Sequence, residues 1–282
     1  MHKLSREVSP EEILQAHKKR GEETQKTVKC KRCSAEFLYS QFVSNNPDTC
    51  KTCDNMNSIA FWYPRLDRER FPMPKTEIIH SNLEDSEDPE RGMESPAYDR
   101  LLVSIKASGK RLGYPLFLKT EKTAFKHAWK ETCFISSEDK VEGNLKSILD
   151  ESELHGVSHY FFAVREMLEV EPVFTHFYGD MPITQEVRIF VNNGEVRCIH
   201  PYWDREAFKD DKGNLEVSEK KLDKLELFTD WDAKRTYKMA LFVASLFSGA
   251  WSVDLLKTKS GAWFLTDMAI AENSYHAKHE KE

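Results

Sequence analysis

The chain has 282 residues, of which 40% are hydrophobic, 11% aromatic and 31% charged, with a formal net charge of -6. That length supports one large or two modest domains with a substantial core, and the apolar content excludes a disordered chain. The acidic balance argues against a surface coated for nucleic-acid binding, though not against a local basic patch, and no apolar run approaches the roughly 20 residues that span a bilayer.

The opening MHKLSREVSPEEILQ lacks the apolar stretch of a secretory signal, which predicts a cytoplasmic protein. SPEEILQAHKKRG predicts a helix, with Ser9 as N-cap, Pro10 at the first helical position, Glu12 closing a capping box and Gly21 as the stop. Residues 1–25 are accordingly expected to form an N-terminal helix unit. In the next stretch, Cys30, Cys33, Cys50 and Cys53 form two C-x2-C pairs separated by 16 residues. This spacing suits a closed four-thiolate structural Zn2+ site, which leaves no open position for catalysis. Residues 26–58 are expected to be that zinc module. Lys26, Lys29, Lys31, Arg32 and Lys51 make it basic. A solvated face explains them best; contact with a nucleic-acid backbone or a protein docking surface is the alternative.

Residues 59–282 are expected to form the main domain. FWYPRLDRERFPMPKTEIIH ends in a short strand, and the acidic NLEDSEDPERGMESP reads as an exposed linker. Ser95 and Pro96 open a helix through AYDRLLVSIKASG. Strands follow at YPLFLKT and TCFISS, then a helix at NLKSILDE, then a strand at HYFFAVREML. ITQEVRIFVNNGEVRCIHPYW predicts a hairpin around Asn193-Gly194. DWDAKRTYKMALFVASLFSG predicts a helix capped by Asp230 and stopped by Gly249, and SGAWSVDLLKTKSGAWFLTDMA a hairpin turning near Ser260-Gly261. Mixed helices and strands with antiparallel hairpins predict an α+β fold. Neither the Walker phosphate-loop pattern nor G-x-G-x-x-G is present.

Charged residues recur at strand positions: Lys119, Arg165 with Glu166, Glu186 with Arg188, Asp254 and Asp267. Glu186 and Arg188 project from one face of a strand. A hairpin turning at Ser260-Gly261 brings Asp254 and Asp267 together, and two adjacent carboxylates call for a cation, with Mg2+ the usual oxygen-ligated choice beside phosphates. Together the lysines, arginines and carboxylates predict a nucleotide-phosphate site. Cys133 and Cys198 are expected to be buried thiols, His276 and His279 solvated, and Trp129 a packing anchor.

LFLKT with KHAWKETCF, VREML, QEVRIFV, and VDLL with WFLTDM resemble, in order, the motifs of the ATP-grasp fold. The resemblance covers about residues 60 to 280 and runs nearest to divergent ATP-grasp proteins of phages and prokaryotes, which share an ending like TDMAIAENSYH. A more distant similarity is to the cell-division-cycle assembly factor that acts on a translation initiation factor. The resemblance implies a nucleotide held between two sheets. Lys119 takes the place of the strand lysine on the α- and β-phosphates, and TEKTAFKHAWKET that of the loop closing over them, with Lys126 and His127 as its ligands. VREML matches the segment meeting adenine, so that the Leu168 backbone pairs with the base and Glu166, Glu169 or Glu171 lies nearby, the last two in reach of the ribose. Arg188, joined by Arg165, faces the phosphates, and Asp254 and Asp267 match the magnesium carboxylates. The usual amide ligand is replaced by Ala269, for which Glu272 or Asn273 is the nearest substitute, and the phosphate loop lacks glycine. The implied activity is ATP-dependent ligation of a carboxylate to an amine through an acylphosphate; the alternative is an ATP-binding assembly factor with a protein partner.

Overall fold

The computed structural model describes residues 55–66, 71–83 and 95–276, together with the backbone of four short strands between 27 and 50. The chain divides into two compact units, Met1–Met56 and Asn57–Glu282. In the first, β1 (Thr27–Lys29) pairs antiparallel with β2 (Glu36–Leu38), and β3 (Phe42–Val43) with β4 (Asn46–Cys50). The expected N-terminal helix, the four-cysteine zinc site, the acidic linker and His279 lie outside the described residues.

The second unit is α+β and is built on two four-stranded antiparallel sheets. After a short α1 (Ile59–Trp62), the first sheet takes β5 (Thr76–His80), β6 (Leu116–Thr120), β7 (Phe134–Ile135) and β8 (Phe161–Glu166), in the order β5-β8-β6-β7. Side chains alternate along a strand. Leu116 and Leu118 therefore join Phe162 and Val164 in a core closed by α2 (Pro96–Leu112) and α3 (Val141–Leu154), through Leu101, Ile105, Leu145 and Ile148. The intervening Phe117 and Lys119 face the other way, and Arg165, paired with Phe117, shares their face. The start of α2 is as the sequence predicts: the Ser95 hydroxyl accepts a hydrogen bond from the Tyr98 amide, and Pro96 fills the first turn. Its end is set by Gly113, whose φ of 86° suits glycine.

A small hairpin, β9 (Phe174–His176) with β10 (Met181–Ile183), joins the sheets. The second sheet has the order β12-β11-β13-β14, from β11 (Glu186–Asn192), β12 (Glu195–Pro201), β13 (Ala250–Lys257) and β14 (Trp263–Ile270). The β11–β12 turn is Asn193-Gly194, both at positive φ, as expected of a tight hairpin. Two helices precede β13: α4 (Glu219–Glu226) and α5 (Asp230–Leu246). Helix α5 packs against β11, β12 and β13.

Two helix boundaries differ from expectation. Thr229, not Asp230, caps α5, because its hydroxyl accepts from the Asp232 amide while the Asp232 carboxylate accepts from the Thr229 amide. The helix ends at Leu246, and Phe247 turns to extended backbone before Gly249 is reached. Asp232 also accepts from Trp263 Nε1 at 2.8 Å and pairs with Lys257 at 2.9 Å, which ties the start of α5 to the sheet. Among the described residues no helix is long and apolar enough to cross a membrane.

Candidate functional site

Residues of both sheets line a cleft of about 750 Å³, a volume that includes the solvent at its mouth. Its walls divide by chemistry. Phe117, Trp129, Met167, Leu168, Met181 and Leu256 make one end apolar. Lys119, Lys126, Arg165, Glu186, Asp254 and Asp267 make the other end charged. An amphiphilic cleft of this kind fits a ligand with a flat apolar part and an ionic tail.

The charged end is assembled from both sheets. From β6, the buried Lys119 donates to Asp267 Oδ2 of β14 at 2.6 Å. From β8, the buried Arg165 donates through Nε to Thr76 Oγ1 at 3.0 Å and through Nη1 to the Thr266 carbonyl at 2.5 Å. Its remaining nitrogen, Nη2, is buried and has no hydrogen-bond partner among the described residues. From β11, Arg188 makes a bidentate pair with Asp254 of β13, at 2.8 and 2.9 Å, and donates to the Tyr275 carbonyl at 3.3 Å. Lys126, on the segment after β6, lies 3.7 Å from Glu186 Oε2 and 4.8 Å from the centre of the Tyr202 ring. Register explains the clustering: Arg188, Asp254 and Asp267 are direct cross-strand partners in three adjacent strands.

Burial dominates the electrostatics. It lowers the pKa of Lys119 against the pull of Asp267, and lowers that of Arg165. It raises Glu186, which Lys126 opposes, and raises Asp254, which Arg188 opposes. For Lys126 and Arg188 burial acts against the charge, but Glu186 and Asp254 respectively outweigh it and hold both bases above their ordinary values. Counting Arg188 through its pair with Asp254, four cations face four carboxylates (Glu166, Glu186, Asp254 and Asp267) around the cleft, so the cations and carboxylates balance as the site stands.

The remaining sequence candidates are spread more widely. Leu168 lines the cleft. Glu166 also lines it, although its carboxylate accepts from the Lys75 amide at 2.8 Å. Glu169 is exposed, is not part of the cleft lining, and pairs with Lys259 at 2.8 Å. Glu171 borders a separate cavity with Lys224 and Lys257. His127 is exposed and packs edge-on against Phe177 at 4.5 Å, away from the cleft lining. Glu272 and Asn273 are exposed in a short 3-10 turn and do not line the cleft either. The segment after Thr120 is pinned: Thr132 Oγ1 donates to the Phe125 and Ala128 carbonyls, and Ala128 bridges to Tyr178. Trp129 is buried against Phe117 and Phe134, as a packing anchor should be.

Sequence reasoning missed Tyr202 and Trp203, whose rings lie beside Lys126. The only signal was their position just past a strand, at HPYW. It also placed one residue wrongly. Cys133 is buried as expected, but Cys198 is half-buried, because β12 is the sheet edge. His276 is exposed, as expected, and its ring also lies 4.3 Å from Phe190 and 4.9 Å from His200.

No family model matches the chain, and no curated protein sequence matches it. Several solved structures are similar. N5-carboxyaminoimidazole synthase of Aspergillus clavatus, in complex with ADP and 5-aminoimidazole ribonucleotide, is 12% identical with a TM-score of 0.43, over 78% of this chain and 46% of that one. A RimK-domain ATP-grasp protein of Sphaerobacter thermophilus is 12% identical with a TM-score of 0.41, over 76% and 58%. D-alanine–D-alanine ligase of Bacillus anthracis, complexed with ATP, is 12% identical with a TM-score of 0.41, over 76% and 52%. The chain spans about half the length of these structures.

Proposed function

We propose that the cleft binds ATP and that the chain is an ATP-grasp protein acting as an ATP-dependent carboxylate–amine ligase. The observation that carries this reading is a buried, unused donor in the charged part of the cleft. Arg165 keeps an unused donor there, in a lining shared with Lys119, Lys126 and the two aspartates, and a polyphosphate supplies the acceptors such a group lacks. The apolar end suits a purine, with the Leu168 backbone available to the base edge. Glu169, between the lining residues Leu168 and Val170, is the better ribose candidate, since Glu171 borders another cavity.

In this reading Lys119 and Arg165 hold phosphate oxygens and neutralise charge that develops as the terminal phosphoryl leaves. Lys126, held charged by Glu186, covers the phosphates from the segment after β6. Arg188 positions Asp254 and faces the transferred group. The substrate carboxylate oxygen attacks the terminal phosphorus, the bridging oxygen leaves with ADP, and an amine then displaces phosphate from the acylphosphate. Holding the two reactants in line supplies much of the rate. Asp254 and Asp267 fit a magnesium ion, being oxygen donors on adjacent strands, one buried and one partly exposed. When bound it would supply charge neutralisation between the phosphates. The four cysteines of the first unit would hold a structural zinc, and the composition suits a cytoplasmic setting.

One observation favours a second reading, an ATP-binding assembly factor without turnover. Both aspartates are already paired, with Lys119 and Arg188, and Ala269 offers no amide to complete a metal shell. The deciding experiment is ADP formation by the full chain with ATP and Mg2+ across pooled amino acids and short peptides, with Asp267→Ala as control. ADP release that needs both an amine and a carboxylate, and that the substitution abolishes, is expected. AMP and pyrophosphate would overturn the acylphosphate route, and ATP binding with no turnover would favour the assembly factor.

A further inference from the structure

Away from the cleft lining, Cys198, His200 and His276 present one ligand atom each, and the three atoms all lie within 4.8 Å of one another. Local geometry explains part of this. Cys198 and His200 are two apart on the edge strand β12, so both project from one face. His276 arrives from the C-terminal segment, which crosses that face. Ser274 Oγ meets Ser252 Oγ of β13 at 2.6 Å, the Tyr275 carbonyl accepts from Arg188 of β11, and the Tyr275 hydroxyl donates to Asp204 at 2.7 Å. These contacts deliver His276 Nε2 to 3.1 Å from Cys198 Sγ. The buried Phe190 walls the cluster, its ring 4.3 Å from His276 and 6.0 Å from His200.

We propose that Cys198, His200 and His276 form a site for a divalent transition metal of the zinc class, which fastens the C-terminal segment across β12 and β11 beside the Arg188–Asp254 pair. One sulfur and two imidazole nitrogens are the borderline-soft donors that zinc takes, and magnesium or calcium would not choose them. A tetrahedral ion with bonds of about 2.0–2.3 Å needs its ligand atoms about 3.3–3.6 Å apart. The cluster is close to that spacing, with all three atoms within 4.8 Å of one another and the Cys198 and His276 atoms at 3.1 Å. Three protein ligands leave a fourth position for water or an incoming group. The site is independent of the N-terminal cysteines, and nothing in the nucleotide reading requires it.

The test uses the full chain, stripped with a chelator and reloaded with Zn2+ or Co2+, beside Cys198→Ser and His276→Ala variants. His276 is exposed in the terminal segment, so its removal spares the core, and circular dichroism confirms the fold. The wild type is expected to hold one more ion per chain than either variant. Its cobalt form is expected to show additional thiolate-to-metal absorbance that both variants lack, over whatever the N-terminal cysteines contribute. Added metal is also expected to slow carboxypeptidase trimming past residue 276 in the wild type only. Equal metal content in all three proteins would overturn the site. Trimming indifferent to metal would overturn the fastening role.

Discussion

Replacing Lys119 by methionine separates the two things that residue does. In the ligand-free protein, Lys119 is a charge with 2% of its side chain exposed, paired at 2.6 Å with Asp267, whose side chain is 38% exposed. Removing one partner of a buried pair costs about 3–5 kcal/mol when the survivor is left buried. Here the survivor reaches water and still feels the Arg165 charge, so most of that cost is absent. Methionine fills nearly the same volume and removes the desolvation of an ammonium group. Lys119→Met should therefore change stability by less than about 1 kcal/mol in either direction, or a melting shift of about 2–4 °C at most for a unit of this size. Nucleotide affinity should respond quite differently. A charge-assisted hydrogen bond to phosphate is worth about 1.5–3 kcal/mol, so the dissociation constant for ATP should rise about 10- to 150-fold. Urea unfolding and titration calorimetry on the same preparation measure both. A stability loss above about 3 kcal/mol with unchanged ATP affinity would refute the reasoning and make Lys119 a strut between the sheets.

The contrasting case is Arg188→Met, which strands the buried Asp254. It should cost about 3–5 kcal/mol by urea unfolding, and adding Asp254→Asn should recover most of that loss. Cys133 is fully buried, which pushes its thiol up to about 11 from 9.0. A raised folded pKa gives stability that is complete below pH 9 and is lost as pH rises through 11. The wild type should thus lose about 2 kcal/mol relative to Cys133→Ala between those pH values, measured by paired urea curves. Gly179 sits at φ 87° with the Lys130 amide nitrogen 2.9 Å from where a Cβ would stand. Gly179→Ala should destabilise by about 1–3 kcal/mol, and an unchanged melting point would show that the β9–β10 turn relaxes freely.

What the sequence made legible was mostly local or symmetric. Asn193-Gly194 and Ser260-Gly261 each define a turn, and a turn defines the register around it. That is why Asp254 and Asp267 emerge as cross-strand partners from spacing alone. Non-local pairings were not legible. Lys119 and Asp267 stand 148 positions apart, and nothing in LFLKT says which carboxylate it will meet. Helix α4 was missed because EKKLDKLE buries only Leu222 and Leu225, too few for a periodic signal. The β9–β10 strands were missed because each has three residues, and the turn between them puts Phe177 at positive φ, which its type does not advertise. The α5 cap was misread because Thr229 and Asp230 are both good caps. Only the acidic residue three after Thr229 distinguishes them. The expectation for Cys198 failed because an apolar strand does not reveal whether it lies at the centre or the edge of its sheet.

The most direct test of the central claim is titration calorimetry of the full chain with a non-hydrolysable ATP analogue and Mg2+, repeated with Arg165→Met. The account predicts one nucleotide site per chain, with affinity lowered by about 10-fold or more once the unused Arg165 donor is gone. No binding to the wild type, or equal affinity in both proteins, would contradict it.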